Sequence, residues 1–211
     1  MQNFIQSGDD AIECAVNYVA QGRVVAIPTE TVYGLAADAR NSEAVKEIYR
    51  LKKRNNTVPM QVLVKDLEQA RRLAVFDSEA LDLAEAFWPG PLTLVLPLRV
   101  GADVAPEISV GAGGTIGIRI SANDLVQKLL YKYGRPLVAS SANISGESSP
   151  VTANEVLHAF GDQLPLIIDG SLVDIGISST VWDTINHRML REGSITHEQI
   201  EEVRAASLEE R

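Results

Sequence analysis

Hydrophobic positions recur with two periods along this chain, and the switches between them mark its elements. Over residues 8–22, Ala11, Ile12, Ala15, Val16, Tyr18 and Val19 form the apolar side of a helix that closes at Gly22. Residues 23–28 are a short apolar strand, and Pro28, which has no N–H, ends it or marks an edge. Residues 29–35 read as a polar connection rich in hydroxyls. Residues 42–51 suit a helix with Ser42 as candidate N-cap and Ala44, Val45, Ile48 and Leu51 on one face. A strand follows at 60–64, then helices at 67–73 and 77–87, the second stopped by Pro89-Gly90-Pro91. Residues 92–98 are β-prone, 115–120 alternate as a half-buried strand does, and 123–133 return to the helical period. A strand at 137–140 runs into a Ser/Gly loop, and Thr152 with Glu155 predicts a capping box opening the next helix. Short strands at 166–169, 179–182 and 188–191 precede a last helix at 195–206 and a charged, frayed tail. The Gly-rich stretch at 111–114 reads as a mobile loop. Helices and strands mix without strict alternation, which predicts an α/β (α+β) domain around a mixed sheet. No repeat or linker appears, so one domain over residues 1–211 is the simplest organisation.

Composition narrows the function classes. A chain of 211 residues can bury roughly 70% of its unfolded surface without a metal or disulfide. Hydrophobic residues at 45% and charged residues at 22% are ordinary for a globular domain. The lone cysteine, Cys14, excludes an intrachain disulfide, fits a reducing compartment and reads as a small buried thiol. The opening Met1-Gln2-Asn3-Phe4 lacks a basic segment and a long apolar run, so no signal peptide is expected. No stretch nears the roughly 20 apolar residues of a membrane span. These features predict a cytoplasmic protein. A net charge of −9 argues against non-specific wrapping of nucleic acid. The local exception is Arg50, Lys52, Lys53 and Arg54. That cluster has two readings, a site for a small anionic ligand or a solvated helix end favoured by the macrodipole.

The common nucleotide motifs are absent: there is no G-x-x-x-x-G-K-[ST], and no G-x-G-x-x-G follows a strand. His158, His187 and His197 fall in predicted surface helices or turns without partners at ligand spacing, which argues against zinc and against a Ser-His-Asp hydrolase. What remains is a series of strand-end segments carrying hydroxyls and isolated cations. They are Pro28-Thr29-Glu30-Thr31-Val32-Tyr33-Gly34-Leu35, Lys52-Lys53-Arg54, Trp88-Pro89-Gly90-Pro91-Leu92-Thr93, Thr115-Ile116-Gly117-Ile118-Arg119, Ser140-Ser141-Ala142-Asn143-Ile144-Ser145-Gly146, Ser178-Ser179-Thr180-Val181 and Leu190-Arg191-Glu192-Gly193. Singly, such segments make turns, helix stops and ion pairs.

In this order they resemble the threonylcarbamoyl-AMP synthases of the YrdC/Sua5 type, over about residues 8–195. The Pro-Thr-Glu-Thr-Val-Tyr-Gly-Leu string, the Lys-x-Arg pair and the Ser-x-Asn of Ser-Ser-Ala-Asn-Ile-Ser-Gly carry most of the likeness. The resemblance implies a twisted mixed parallel/antiparallel sheet with flanking helices and a deep cationic cavity. It implies an enzyme that condenses L-threonine, bicarbonate or CO2 and ATP into threonylcarbamoyl-AMP and pyrophosphate, for threonylcarbamoyladenosine formation in tRNA. Lys52 and Arg54 are assigned to the ATP phosphates, with Arg54 the direct contact. If the chain is extended there, both point to one side. Ser141 and Asn143 share that spacing and go to the nucleotide, with Thr115, Ser149 and Arg191; Arg191 is open to an ion pair or to stacking on adenine. Thr31, Arg119, the backbone near Ala139, and Ser179 go to L-threonine, Arg119 as a two-pronged grip on its carboxylate. Tyr33 either walls the pocket or packs in the core. Glu30 is read as an exposed turn carboxylate in preference to a metal or amine contact.

By the same resemblance, catalysis rests on proximity and on charge neutralisation by cations and Mg²⁺, with no general base assigned. No side chain is assigned to the metal. Transfer to tRNA falls to partner tRNA-modification proteins, and contact with tRNA itself is indirect or weak. Three positions depart from the pattern. Val58 stands where relatives have Lys or Asn, Leu63 where many have His, and Ser121 where Pro is common. The chain ends about 18 residues after Gly193, as expected of a short, single-domain form. The rival readings are a nucleotide- or RNA-binding protein without activity, and a carbamoyl-adenylate-forming enzyme on the same fold.

Overall fold

Strand pairing gathers the apolar runs into one mixed sheet. The structure, a computed structural model, describes residues 5–109 and 113–209. The strands are β1 (Ile5–Gln6), β2 (Val25–Ile27), β3 (Gly34–Asp38), β4 (Gln61–Leu63), β5 (Leu92–Pro97), β6 (Thr115–Arg119), β7 (Leu137–Ser141), β8 (Ile167–Ile168), β9 (Thr180–Asp183) and β10 (Arg188–Arg191). Their order across the sheet is β1-β8-β2-β3-β7-β4-β6-β5-β9-β10. Four pairs are parallel (β1–β8, β2–β8, β4–β6, β5–β9) and five antiparallel (β2–β3, β3–β7, β4–β7, β5–β6, β9–β10). The helices are α1 (Gly8–Ala20), α2 (Ser42–Leu51), α3 (Leu67–Leu73), α4 (Ser78–Phe87), α5 (Asp124–Tyr133), α6 (Ala153–Phe160) and α7 (His197–Glu209). None of them is long and apolar enough to cross a membrane.

The period of two decides which side chains meet which helices. Leu92, Leu94 and Leu96 of β5, Ile116 and Ile118 of β6 and Trp182 of β9 face the larger core, with apolar residues from α2, α3, α4, α6 and α7. Each large side chain buried there contributes about 1.5–3 kcal/mol. On the other face, α1 and α5 pack over Val25, Ile27, Ala36, Leu63, Leu137 and Ile168. These two helices cover only the half of the sheet from β1 to β4. The same face of β6, β5, β9 and β10 is left without a helix, and the site lies there.

Four local features differ from the sequence reading. Gly34–Asp38 is a strand buried at every position, which takes in the last two residues of the expected polar connection over 29–35 and three residues left unassigned. Its small residues, enclosed on both faces, show no alternation. The cap of α2 is Asn41, whose side chain accepts from the Glu43 and Ala44 N–H groups; Ser42 is the first helical residue. Thr152 caps α6 by accepting from the Glu155 N–H, but the Glu155 carboxylate reaches back to the Val151 N–H, one residue beyond a capping box. Cys14 is half-buried, on the margin of the α1 face. Of the Gly-rich stretch, Gly111 and Ala112 lie outside the described residues, while Gly113 and Gly114 form the turn into β6.

Candidate active site

The uncovered half of the sheet floors a cavity of about 660 Å³, within the usual range for small-molecule sites. Because side chains alternate, one parity of each strand supplies the floor: Thr93 and Val95, Thr115, Gly117 and Arg119, Val181 and Asp183. The end of β7 (Ala139, Ser140, Ser141) and the turn at Thr31 close one side, and β10 with Arg191 closes the other. The far-separated segments Thr31, Arg54, Thr115, Arg119, Ala139, Ser141, Ser179 and Arg191 thus meet in one hollow.

Arg119 is the deepest charge, 1% exposed. Its Nε donates to Gly90 O (3.1 Å) and its Nη2 to Thr31 Oγ1 (3.1 Å). The Trp88-Pro89-Gly90-Pro91 turn therefore ends α4 and also seats this arginine. A Cβ at Gly90 would lie 2.3 Å from Phe87 O, so only glycine permits that approach. Glu30 corrects the sequence reading, being buried at 6% exposure and not an exposed turn carboxylate. Its Oε1 lies 2.7 Å from Arg119 Nη2, an ion pair out of line for a hydrogen bond. Its Oε2 accepts from the Ser121 hydroxyl. Burial pushes the Glu30 carboxyl up, but the adjacent Arg119 charge and the Ser121 hydrogen bond outweigh it and hold it below the usual range. Ser121, at a position where proline is common, thus gives Glu30 a partner. Thr31 is fixed by Thr29, whose hydroxyl donates to Val32 O and stands 2.8 Å from Thr31 Oγ1. The Thr31 hydrogen is spent on Thr29 and one of its lone pairs on Arg119, so what Thr31 offers a ligand is an acceptor.

Arg54 and Arg191 have no carboxylate partner among the described residues. Arg54 donates to Ser140 Oγ (3.2 Å) and Pro59 O (2.9 Å). Arg191 donates to Ser179 O (2.9 Å) and Ser179 Oγ (3.0 Å). Burial pushes the Arg191 guanidinium down, and the charges of Arg119 and Arg54 push it further. Three guanidiniums near enough to oppose one another make a hollow that favours anions. Asp183, the one carboxylate among the described lining residues, is already engaged: it accepts from the Ile185 N–H and the Asn186 backbone and side chain, and lies 3.6 Å from Arg188 Nε.

Other candidates lie beside the cavity. Lys52 and Arg54 do not form an extended pair: Lys52 is the αR cap of α2 and Lys53 turns the chain at φ 50°. The Lys52 ammonium instead points behind β7, donating to Ser141 O and Asn143 O (2.8 Å). Burial, then the Arg54 charge, pushes it down to about 8. The Asn143 side chain closes its own loop, donating to Ile144 O and Glu147 O (2.9 and 2.8 Å). Lys52 and Asn143 thus shape the loop that carries Ser141, and Ser149 sits outside the lining. Tyr33 packs in the core, its hydroxyl donating to Ser171 O at 3.0 Å and accepting from the Gly170 N–H. Leu63 packs in the core beneath α5 and does not line the cavity. Val58 is exposed, with its carbonyl accepting from Tyr49. The basic run divides: Arg50 pairs outward with Glu47 and Lys53 is solvated, as a helix end would have them, while Arg54 alone enters the cavity. Sequence reasoning passed over Gln61 and gave Thr93 no role, yet both are on the floor. The available signal was a lone polar residue at an apolar strand position, Gln61 between Met60 and Val62.

The site can bind an anionic ligand through arginines and hydroxyls. Among the described residues, no three His, Cys, Asp or Glu gather as metal ligands. A divalent cation here would take its ligands from phosphate oxygens and waters and not from a cage of side chains.

The chain is similar to known proteins along most of its length. The Sua5/YciO/YrdC family model, described as telomere recombination, matches residues 17–193. A threonylcarbamoyl-AMP synthase of Pyrococcus abyssi is 41% identical over 195 residues, 91% of this chain and 56% of that protein. One from Bacillus subtilis is 39% identical over 202 residues, 94% of this chain and 58% of that protein. The crystal structure of P. abyssi Sua5 complexed with L-threonine superposes with a TM-score of 0.90 at 39% identity, covering 95% of this chain and 61% of that one. The chain thus spans less than two thirds of the length of these relatives. With the matched model covering most of the chain and its motifs meeting in one cavity, this protein belongs to the Sua5/YciO/YrdC family.

Proposed function

We propose that this protein is a threonylcarbamoyl-AMP synthase, joining L-threonine, bicarbonate or CO2 and ATP into threonylcarbamoyl-AMP with release of pyrophosphate. The observation that carries the reading is the meeting of Arg54, Arg119 and Arg191 in one hollow, in a chain whose relatives bear that name. ATP brings about four negative charges and threonine a carboxylate, which calls for several cations at once. Arg54 and Arg191 have charge to spare for phosphates, and Ser141 and Thr115 line the same cavity. Arg119, held by Glu30 and Gly90, is preset for the amino-acid carboxylate. Thr31 offers an acceptor to a substrate hydroxyl, and a substrate lacking that hydroxyl leaves Thr31 unpaired.

The chemistry needs no protein nucleophile. The threonine amine attacks the carbon of CO2 and loses a proton to solvent, giving a carbamate. A carbamate oxygen attacks the α-phosphorus, the bond to the bridging oxygen breaks, and pyrophosphate leaves with the electron pair. The chain's part is to hold the reactants together and balance their charge. Mg²⁺ enters with the nucleotide as counter-charge to its phosphates. The reading puts the enzyme in the cytoplasm with tRNA-modification proteins that receive the product, and contact with tRNA itself is indirect or weak.

The test is an incubation with ATP, Mg²⁺ and bicarbonate, with and without L-threonine, following pyrophosphate. The reading expects release that depends on threonine. Release indifferent to threonine overturns the substrate assignment, and dependence on carbamoyl phosphate moves the protein to the carbamoyl-adenylate class.

A further inference from the structure

A row of side chains across the cavity floor ends in a polar group with no assigned task. Gln61 opens β4, and its register partner on β6 is Gly117. A Cβ at Gly117 would stand 3.3 Å from Thr93 Cγ2 and 3.9 Å from Gln61 Cβ. Glycine leaves room for side chains of β4 and β5 to meet over the strand between them. Thr93 Oγ1 donates to Gln61 Oε1 at 2.7 Å and lies 3.0 Å from Ser179 Oγ. Arg191 Nη2 donates to Ser179 Oγ at 3.0 Å.

Thr93 gives its one hydroxyl hydrogen to Gln61 Oε1, so the contact between Thr93 and Ser179 runs from Ser179, whose oxygen in turn accepts from Arg191. Both hydroxyl hydrogens are then spent inside the row. The Gln61 oxygen is its final acceptor, so the amide nitrogen is the end of the side chain left over. Its Nε2 has no partner among the described residues, and Gln61 lines the cavity. A donor pair held this firmly, open to the cavity and without a protein acceptor, favours a ligand that offers one.

We propose that Gln61 is a further substrate contact, its carboxamide N–H2 donating to an anionic oxygen of the bound ligand while Thr93, Ser179 and Arg191 hold it in place. The inference rests on the proposed function. The oxygen belongs to the amino-acid carboxylate or to a nucleotide phosphate, two sources of one chemistry.

The test measures binding of L-threonine and, separately, of α,β-methylene-ATP with Mg²⁺ by calorimetry, for the wild type, Gln61→Leu and Gln61→Glu, with melting temperatures as a fold control. Gln61→Leu removes the donor. Gln61→Glu keeps the shape and the acceptor for Thr93 but turns the donor into a negative charge. A ligand contact predicts that one ligand binds at least about 10-fold more weakly to Gln61→Leu and more weakly still to Gln61→Glu. The ligand affected names the source of the oxygen. A packing role predicts the opposite order, Gln61→Glu near wild type, and that order overturns the proposal. So does unchanged binding of both ligands to both variants. If the wild type binds neither ligand, the functional reading itself fails and takes this inference with it, whereas failure at Gln61 alone leaves that reading standing.

Discussion

Glu30→Gln is the perturbation with the most legible physics. It keeps the shape of the side chain and one of its two oxygens, enough for Ser121 or Arg119 but not both, while removing the negative charge. At 2.7 Å and an effective dielectric of about 20, the attraction in the Glu30–Arg119 pair is about 6 kcal/mol gross. Much of that offsets the desolvation of both ions, but removing one partner leaves the other buried and uncompensated, at a cost of about 3–5 kcal/mol. Arg119 is 1% exposed and so cannot turn to water. Taking the lower figure, since glutamine still accepts a hydrogen bond, the loss of about 3 kcal/mol lowers Tm by about 6–12 °C for a chain of this size. Calorimetry or circular dichroism at neutral pH measures it. The pH dependence carries a second check. The pKa of Glu30 is depressed by folding, so the pair's stabilisation is complete above the ordinary glutamate value of about 4.3 and is lost as pH falls through the lower, folded value. The gap in stability between wild type and Glu30→Gln should therefore close only in acid. A variant that melts within about 1 °C of wild type at neutral pH would show that Arg119 is not held by this charge, and the derivation of the site's deepest cation would fail.

Three further outcomes follow from the same geometry. Arg54→Ala lowers ATP-dependent turnover at least about 10-fold, equivalent to about 1.4 kcal/mol of transition-state stabilisation, and unchanged turnover would make that cation decorative. Lys52→Met removes the ammonium that ties the Ser141 and Asn143 carbonyls, and should raise KM for ATP about 10-fold, measured with saturating threonine; an unchanged KM would mean the loop holds its shape alone. Gly90→Ala forces a Cβ to within 2.3 Å of Phe87 O, so the turn that seats Arg119 must move, with a destabilisation of about 2 kcal/mol in urea unfolding and weaker threonine binding.

What the sequence disclosed depended on how local the cause was. The alternation over residues 115–120 determined both the strand and its faces, and Thr115, Gly117 and Arg119 are indeed on the floor while Ile116 and Ile118 are in the core. Gly34–Asp38 was illegible because a strand of small residues enclosed on both sides has no pattern of two. Asn41 and Ser42 are adjacent residues of the same capping class, and only the backbone decides between them. The spacing of Lys52 and Arg54 misled, since an i, i+2 argument needs extended chain and Lys53 turns it. Glu30 looked exposed because its partners, Arg119 and Ser121, arrive from a distant strand. The site's membership was carried by whole motifs in a fixed order, since no local rule predicts that Thr31, Arg119 and Ser179 meet. Gln61 matched no motif; its lone polarity in an apolar strand hinted at it, but its link to Thr93 depends on the room Gly117 leaves on the strand between.

The most direct test of the account is a crystal structure of the protein with L-threonine and α,β-methylene-ATP bound together. The account predicts both ligands side by side in the hollow above β6, β5 and β9, phosphates against Arg54 and Arg191 and the amino-acid carboxylate against Arg119. Electron density for either ligand elsewhere on the protein, with these three arginines facing only water, would contradict it.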